Sequence, residues 1–573
     1  MILVLISVAS LSWSRRLAGP IDLRYDASTY FVLGTSLADG RGYRLLNEPG
    51  EIEATQYPPL LPLIVAAHEW GLGTRDIIVV GHWLRITWFL SYIAFTLSVY
   101  FMLRQRLPLH YAFVGTLVCL LSLYTYLMSN QLAPEILFGL TSSLFFLSSN
   151  CANKSGSLVF SFLFATASYA LRTIGVALFV AWVSEAVLQK RFRRAFVRLT
   201  LSLLPIVAWQ SYIHWVESSR DYKVPAYEYQ RADYLFYNVS YAKNIFILKD
   251  SFTPELGRAT LKDIASRFVE NLKRTPISIG EAITVEKKCW FMPLSHRFQK
   301  AAELVRNGLL FTLGCIILAG VCLQLTRRQW LVPFYVLLSA FAICLTPWPI
   351  QLVRYFTPLC PFFALSFFIA VQCLRQLSAQ TRFVKVRITS LSLVSSIGGL
   401  ILTHQLWVFY RFSRYVDRVV YDVSDGRQAR LNVFGYFPAE RATNGGLDWL
   451  MRERVPAGVV ATSTPQWAFL RTGLKAVMPP FEVDTDRAQK LLDSVPVTYL
   501  VYEEGFTRKY ISGVIQKHPD LWREVYSNRN GQYKIYHRVD AREPSAQPIA
   551  YWKLPRELST GCGHLTLFGD RKL

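Results

Sequence analysis

The chain has 573 residues, 52% of them hydrophobic and only 18% charged, with a mean hydropathy of +0.25. That balance excludes a disordered chain and argues against a soluble enzyme of this length, whose helices would be amphipathic rather than solidly apolar. The net charge of +23 would suggest nucleic acid on a soluble protein, but on a membrane protein it fits cytoplasmic anchoring loops and anionic lipid, so no nucleic-acid partner is expected.

A bilayer core takes about 20 apolar residues per helix. The apolar runs in chain order are Met1–Trp13, Val79–Leu103, Leu109–Ser129, Pro134–Asn150, Ser157–Ala170, Thr173–Leu188, Leu199–Val216, Asn307–Leu325, Trp330–Thr346, Tyr355–Leu374 and Ile388–Tyr410. They predict about eleven spans. Met1–Trp13 is too short to cross alone and lacks a small-residue cleavage site, so it reads as a first helix whose true start lies upstream of Met1. Ser157–Ala170 is also short and reads as half of a broken pair with the next run. Most of the nine Cys lie in apolar runs, with Cys289 and Cys562 in polar stretches, so no disulfide scaffold is expected.

Short basic loops orient the spans. Arg104 and Arg106, then Lys190, Arg191, Arg193 and Arg194, then Arg327 and Arg328, then Arg375, Arg382, Lys385 and Arg387 follow alternate runs. With all of these in the cytoplasm the topology alternates without conflict. The regions at about 14–76 and 217–306, and everything after Arg411, then face outward, as do the turns Asn130–Ala133, Leu171–Arg172 and Pro347–Arg354. Residues 1–410 thus form the membrane module. Residues 411–540 alternate short apolar strands (Val459–Ala461, Tyr499–Tyr502, Tyr533–Tyr536) with helical patterns (Leu447–Arg454, Arg487–Asp493), which predicts an α/β domain of roughly 130 residues. Residues 541–573 read as a loosely ordered tail.

Candidate chemistry lies on the predicted outer side, because ionisable groups at a membrane edge are costly without a purpose. Asp22-Leu23-Arg24-Tyr25-Asp26 is followed by Tyr30 and by Leu37-Ala38-Asp39-Gly40-Arg41-Gly42-Tyr43. Asp22 and Asp26 are four apart, so one helix would set both carboxylates on one face, as a metal site or as a general base with a helper. Locally the plainer alternative is favoured, a solvated loop in which Asp26 caps a helix. Gln56-Tyr57-Pro58-Pro59-Leu60-Leu61-Pro62 reads first as a Pro-capped helix start, and second as a place where Tyr57 donates to a phosphate. Pro134-Glu135 opens the fourth run. An acid there complements a helix dipole, yet at a membrane turn on the same side as Asp26 it is equally a functional acid.

Arg172 and Arg354, the latter in Trp348-Pro349-Ile350-Gln351-Leu352-Val353-Arg354-Tyr355, are outer-edge cations suited to bidentate phosphate recognition, with snorkelling to headgroups as the alternative. Arg85 is a weaker candidate of the same kind. The sequence holds no Walker-type loop, G-x-S-x-G elbow, H-E-x-x-H or paired C-x-x-C, so a sugar or phosphate donor would not be read by a soluble nucleotide fold.

The order of these segments resembles the GT-C superfamily of polytopic glycosyltransferases that use polyprenyl-phosphate sugars. The branch it resembles holds protein O-mannosyltransferases, the aminoarabinose transferase of lipid A and bacterial lipopolysaccharide glycosyltransferases. The likeness runs from about Asp22 to Pro361. It is carried by Tyr25-Asp26-Ala27 with Leu37 to Tyr43, by Tyr57-Pro58-Pro59-Leu60, by Pro134-Glu135-Ile136-Leu137-Phe138, by Leu171-Arg172-Thr173-Ile174-Gly175, and by Arg354-Tyr355 with Pro358 and Pro361. Pro465-Gln466-Trp467 and Leu470-Arg471-Thr472-Gly473 are similar to the extracytoplasmic domain of the same branch.

The resemblance implies a GT-C-like helical membrane module with a C-terminal extracytoplasmic α/β domain. It implies sugar transfer from a polyprenyl phosphate to a lipid, glycan or protein acceptor at the outer face of the inner (plasma) membrane, with membrane lipids as surroundings. Asp26 would be the general base and Glu135 a second acid that orients the acceptor or binds a metal. Arg354, then Arg172 and Tyr57, would stabilise the phosphate, with Tyr355 beside them. No cofactor is called for; a divalent metal on Asp26 and Glu135 stays open, because Ala27 stands where many relatives carry a second adjacent acid. A transporter or flippase is the alternative function, though its ionisable groups would sit near the midplane on repeated broken helices. A non-catalytic scaffold is the third, and it expects Asp26 and Glu135 to lie far apart.

Overall fold

The computed structural model describes residues 1–14, 18–150, 155–285, 296–380, 399–410, 416–423, 426–434, 436–453, 458–503 and 505–540. The predicted tail 541–573, Cys289, Cys562, Arg382, Lys385, Arg387 and the first half of the last predicted span lie outside them. The protein is a polytopic α-helical membrane protein with a C-terminal α/β unit. Among the described residues, Ile77–Arg104, Phe192–Ser218, Lys300–Thr326 and Pro349–Gln376 are long and apolar enough to cross a membrane. Shorter apolar helices pack with them: Ile2–Trp13, Leu109–Leu120, Glu135–Asn150, Ser155–Leu171, Val176–Leu188 and Leu331–Cys344. Aromatic rings fill the shared core, with Phe146 and Tyr335 both against Phe362 at centroid distances of 4.6 and 5.0 Å.

Three predicted elements differ. The run Leu109–Ser129 is two helices, Leu109–Leu120 and Leu123–Met128, because Ser122 turns extended and its hydroxyl donates to the Ala282 carbonyl at 2.8 Å. The run from Leu199 begins earlier, at Phe192, so basic residues join the helix. Among them Arg198 pairs with Glu185 at 3.0 Å. The predicted outer region 217–306 contains a 23-residue helix, Leu261–Ile283, capped by Thr260 with Asp263. Its first half is charged, but its second half is buried in the helical body. Gly280 and Gly314 allow this close approach: a Cβ at either would fall 2.5 Å from the Leu310 oxygen or 2.0 Å from the Pro276 oxygen. At the end of the body carrying the short basic loops, Arg106 donates to Gln329 at 3.1 Å, which joins two loops predicted to share a side.

The α/β unit starts with an antiparallel hairpin, β1 (Val416–Asp422) and β2 (Gln428–Phe434). A five-stranded sheet follows, built from β3 (Val459–Ala461), β4 (Lys475–Val477), β5 (Val497–Glu503), β6 (Trp522–Ser527) and β7 (Tyr533–Arg538) in the order β4-β3-β5-β7-β6. β3 is parallel to β4 and β5, and β7 is antiparallel to β5 and β6. The unit is docked on the segments predicted to face outward. Ala476 in the edge strand β4 donates to the Asn47 carbonyl at 2.8 Å, Asn47 returns a bond to the Ala476 carbonyl at 3.0 Å, and Lys475 pairs with Glu51 at 2.9 Å. Tyr227, Tyr229 and Leu235 of the loop after Phe192–Ser218 share one apolar core with Val459, Phe481 and Leu500. Burying that surface ties the sheet to the membrane helices in the way a domain core ties its own layers.

Candidate active site

The first two outer segments are stitched by their backbones. Asp22 and Gln131 form a parallel bridge, in which Asp22 donates to the Asn130 carbonyl at 3.3 Å and Leu132 donates to the Asp22 carbonyl at 3.1 Å. The Gln131 side chain adds a bond to the Arg24 carbonyl at 2.7 Å. This bridge sets the start of the helix Asp26–Ala38 beside the start of the helix Glu135–Asn150. Between bridge and helix the chain turns through Tyr25, whose φ of +59° and ψ of −134° lie where a bulky residue is strained by roughly 1–3 kcal/mol.

The structure corrects the reading of Asp22 and Asp26 as a pair on one helix face. Asp22 precedes the turn and is bound by Arg24 at 2.7 Å. Asp26 is the first helical residue, and Tyr25, not Asp26, is the cap.

Arg354 is the centre of the site. Its Nη2 donates to Asp26 Oδ2 at 3.0 Å and its Nε to Glu135 Oε1 at 2.7 Å. Arg172 Nη2 donates to the same Glu135 oxygen at 2.9 Å. Four of the predicted residues thus form one chain, Asp26–Arg354–Glu135–Arg172, drawn from four separate segments. The Glu135 side chain is 1% exposed and that of Asp26 27%, so the chain runs from the interior to an accessible carboxylate. Tyr355 lies with its ring 5.6 Å from the Arg172 guanidinium. Tyr57 packs between Tyr30, at 4.7 Å, and Tyr237, at 6.4 Å.

Tyr237 was missed by sequence reasoning. Its hydroxyl donates to the other Asp26 oxygen, Oδ1, at 3.2 Å. Burial, with Asp26 beside it, holds the phenol well above its usual value, so it stays a donor. Tyr237 comes from the second long outer loop, more than 200 residues from Asp26, and its surroundings Phe236-Tyr237-Asn238 carry no motif. The only signal was aromatic density in a polar loop.

Arg85 is corrected. It does not join the site: its guanidinium donates to the Ala18 carbonyl, to Asn130 Oδ1 at 3.2 Å and to the Asn432 carbonyl at 3.3 Å, and so ties the first segment, the second outer turn and β2 together. Arg85→Ala should therefore act on stability, costing roughly 1–3 kcal/mol for buried carbonyls left without their charged donor. Thermal unfolding of the purified variant checks this, and an unchanged midpoint would contradict it.

A divalent metal does not fit the donor set. Both acids already accept from guanidinium groups, and no cluster of three His, Cys, Asp or Glu side chains occurs among the described residues. A metal on Glu135 would meet two resident guanidinium groups, and one on Asp26 would meet Arg354.

The helical body, the two stitched segments and the docked α/β unit together make a fold that solved membrane proteins share. The chain is similar over 93% of its length to ArnT from Cupriavidus metallidurans in the apo state, with a TM-score of 0.53, 9% identity and 97% of that chain covered. It is similar to the same protein bound to undecaprenyl phosphate, with a TM-score of 0.52, 9% identity, and 94% of this chain and 98% of that one covered. The archaeal oligosaccharyltransferase AglB from Archaeoglobus fulgidus, in complex with an inhibitory peptide and a dolichol-phosphate, overlays with a TM-score of 0.47 and 11% identity over 97% of this chain and 75% of that one. No family model and no curated protein sequence matches the chain.

Proposed function

We propose that the protein is a membrane glycosyltransferase that moves a sugar from a polyprenyl-phosphate donor to a lipid, glycan or protein acceptor at the outer face of the plasma membrane. The observation that carries this reading is the bridge of Arg354 between Asp26 and Glu135, with Arg172 on the same acid. Two guanidinium groups beside an accessible carboxylate are what transfer from a phosphate requires, and undecaprenyl phosphate is the ligand of the ArnT structure that shares the fold. The scaffold reading expects Asp26 and Glu135 to lie far apart, whereas Arg354 bonds to both.

The chemistry follows from three demands. The acceptor hydroxyl must lose its proton as its oxygen bonds to the anomeric carbon, and Asp26 takes that proton. The bond from the anomeric carbon to the phosphate oxygen breaks, and the electron pair leaves with the polyprenyl phosphate. Arg354 and Arg172 balance the charge that develops there. Before the donor binds, Arg354 is shared between two carboxylates. A bound phosphate draws that guanidinium to itself and leaves Asp26 free to accept from a hydroxyl. The second Glu135 oxygen, Oε2, is buried with no hydrogen-bond partner, which suits it to orient a substrate hydroxyl. A single displacement with inversion fits the absence of an obvious nucleophile pair among the described residues.

Tyr237→Phe removes one bond to Asp26 and leaves the aromatic packing. It should lower kcat about tenfold with little change in donor KM. Reconstituted transfer kinetics test this, and an unchanged kcat would exclude Tyr237 from orienting the base.

A further inference from the structure

We propose that Glu440, in the α/β unit, is a positioning residue for Asp26 that acts through the strained turn at Tyr25. The inference rests on the reading of Asp26 as the base.

Tyr25 immediately precedes Asp26 and is one of four non-glycine residues with positive φ among those described. A backbone of this kind persists only where its surroundings over-determine it. Packing does not supply that here, because Tyr25 is 53% exposed. Hydrogen bonds do. Glu440 accepts the Tyr25 hydroxyl on Oε1 and pairs through Oε2 with Arg24 at 2.8 Å. Glu440 is itself fixed, since Oε2 also accepts the Phe437 N–H at 2.6 Å at the start of the helix Pro438–Arg452. On the far side of the turn, Gln131 holds the Arg24 carbonyl.

Rotation of the peptide between Tyr25 and Asp26 relieves the strain and swings the Asp26 carboxylate off Arg354 and Tyr237. Glu440 opposes that rotation from outside, so the α/β unit sets the geometry of the base without touching substrate. Glycine reaches positive φ at no steric cost. A glycine at position 25 therefore removes the need for the brace, and Arg24 keeps its bond to Asp22 in either case.

The test uses full-length protein in nanodiscs, comparing wild type, Glu440→Ala, Glu440→Gln, Tyr25→Gly and the double variant Tyr25→Gly/Glu440→Ala. Transfer is read from a panel of radiolabelled undecaprenyl-phosphate sugars to a membrane extract. Amide hydrogen exchange is read at residues 27–30. Glu440→Ala should lower kcat about 100-fold with donor KM changed less than about threefold. Glu440→Gln keeps an accepting oxygen and should stay within about threefold of wild type. In the Tyr25→Gly background, loss of Glu440 should change kcat by less than about threefold. Exchange should rise about tenfold in Glu440→Ala, but not further in the double variant than in Tyr25→Gly.

Unchanged exchange in Glu440→Ala overturns the inference whatever the transfer result. So does an equal loss of transfer in both backgrounds, which would make Glu440 a general structural residue. Transfer that needs Asp26 but is indifferent to Glu440 overturns the inference alone and leaves the proposed function standing. If the wild type moves no label, the base reading falls, and the catalytic part of the inference falls with it.

Discussion

Asp26→Asn should lower sugar transfer by about 1,000-fold while leaving the fold intact, because a general base contributes roughly that factor and its amide accepts no proton. The side chain is 27% exposed, and Arg354 keeps its bond to Glu135 at 2.7 Å, so no buried charge is stranded. The amide oxygen can keep the Arg354 bond while the Tyr237 hydroxyl turns to accept from the amide NH2. The thermal midpoint should therefore stay near that of wild type. Single-turnover transfer, read beside thermal unfolding of the same preparation, separates the two effects. Near-normal turnover in the variant would remove Asp26 from the base role. A large fall in the midpoint would instead make Asp26 a structural partner of Arg354.

Arg354→Ala should harm both catalysis and folding, and a second substitution should separate the two losses. Removing a preorganised donor to a developing anion lowers kcat by about 100- to 1,000-fold. Affinity for undecaprenyl phosphate should fall as well, which binding of that lipid to the purified variant measures directly. The structural loss arises at Glu135. Its carboxylate is 1% exposed and would be left with Arg172 as its one cationic partner in the chain described above. Because Arg172 stays on the same oxygen, losing one of two charge-assisted bonds to this buried carboxylate costs about 1–3 kcal/mol. Arg354→Lys keeps a cation beside Glu135 but loses the planar fork, so the midpoint should lie near wild type while transfer stays low. If transfer recovers together with stability, Arg354 serves folding and another group meets the phosphate.

Much of this site is legible in the sequence because it is local. Asp26, Glu135, Arg172 and Arg354 each sit at the start of an apolar run or in a short turn, where an ionisable side chain has no packing reason to be. The alternation of basic loops then predicts all four on one side of the membrane. Their contact is not legible, since it depends on the Asp22–Gln131 bridge and on the break of a predicted span at Ser122. The bridge is made by backbone groups and the break by one serine hydroxyl on a distant carbonyl, and neither leaves a sequence pattern.

Arg85 shows the opposite failure. It has the same residue type and apparent depth as Arg172, yet it is spent on carbonyls from three segments. Only the docking of β2 reveals that role. The same limit hides the helix Leu261–Ile283, whose charged first half reads as outer loop although its second half is buried in the body. In the α/β unit, β3 was legible as Val459–Ala461 because it is a buried apolar run, whereas β1 and β2 carry Asp and Arg on the exposed face and were not.

The most direct test of the proposed function is the fate of the donor's glycosyl–phosphate bond. Purified wild-type protein in sealed proteoliposomes would be given undecaprenyl-phosphate sugars labelled in the sugar, together with a membrane extract as acceptor. The proposed reaction predicts that label appears on an acceptor, that an equal amount of undecaprenyl phosphate is released, and that Asp26→Asn does neither. Label that crosses the bilayer still joined to its phosphate, with no undecaprenyl phosphate released, would contradict transfer and establish a transporter instead.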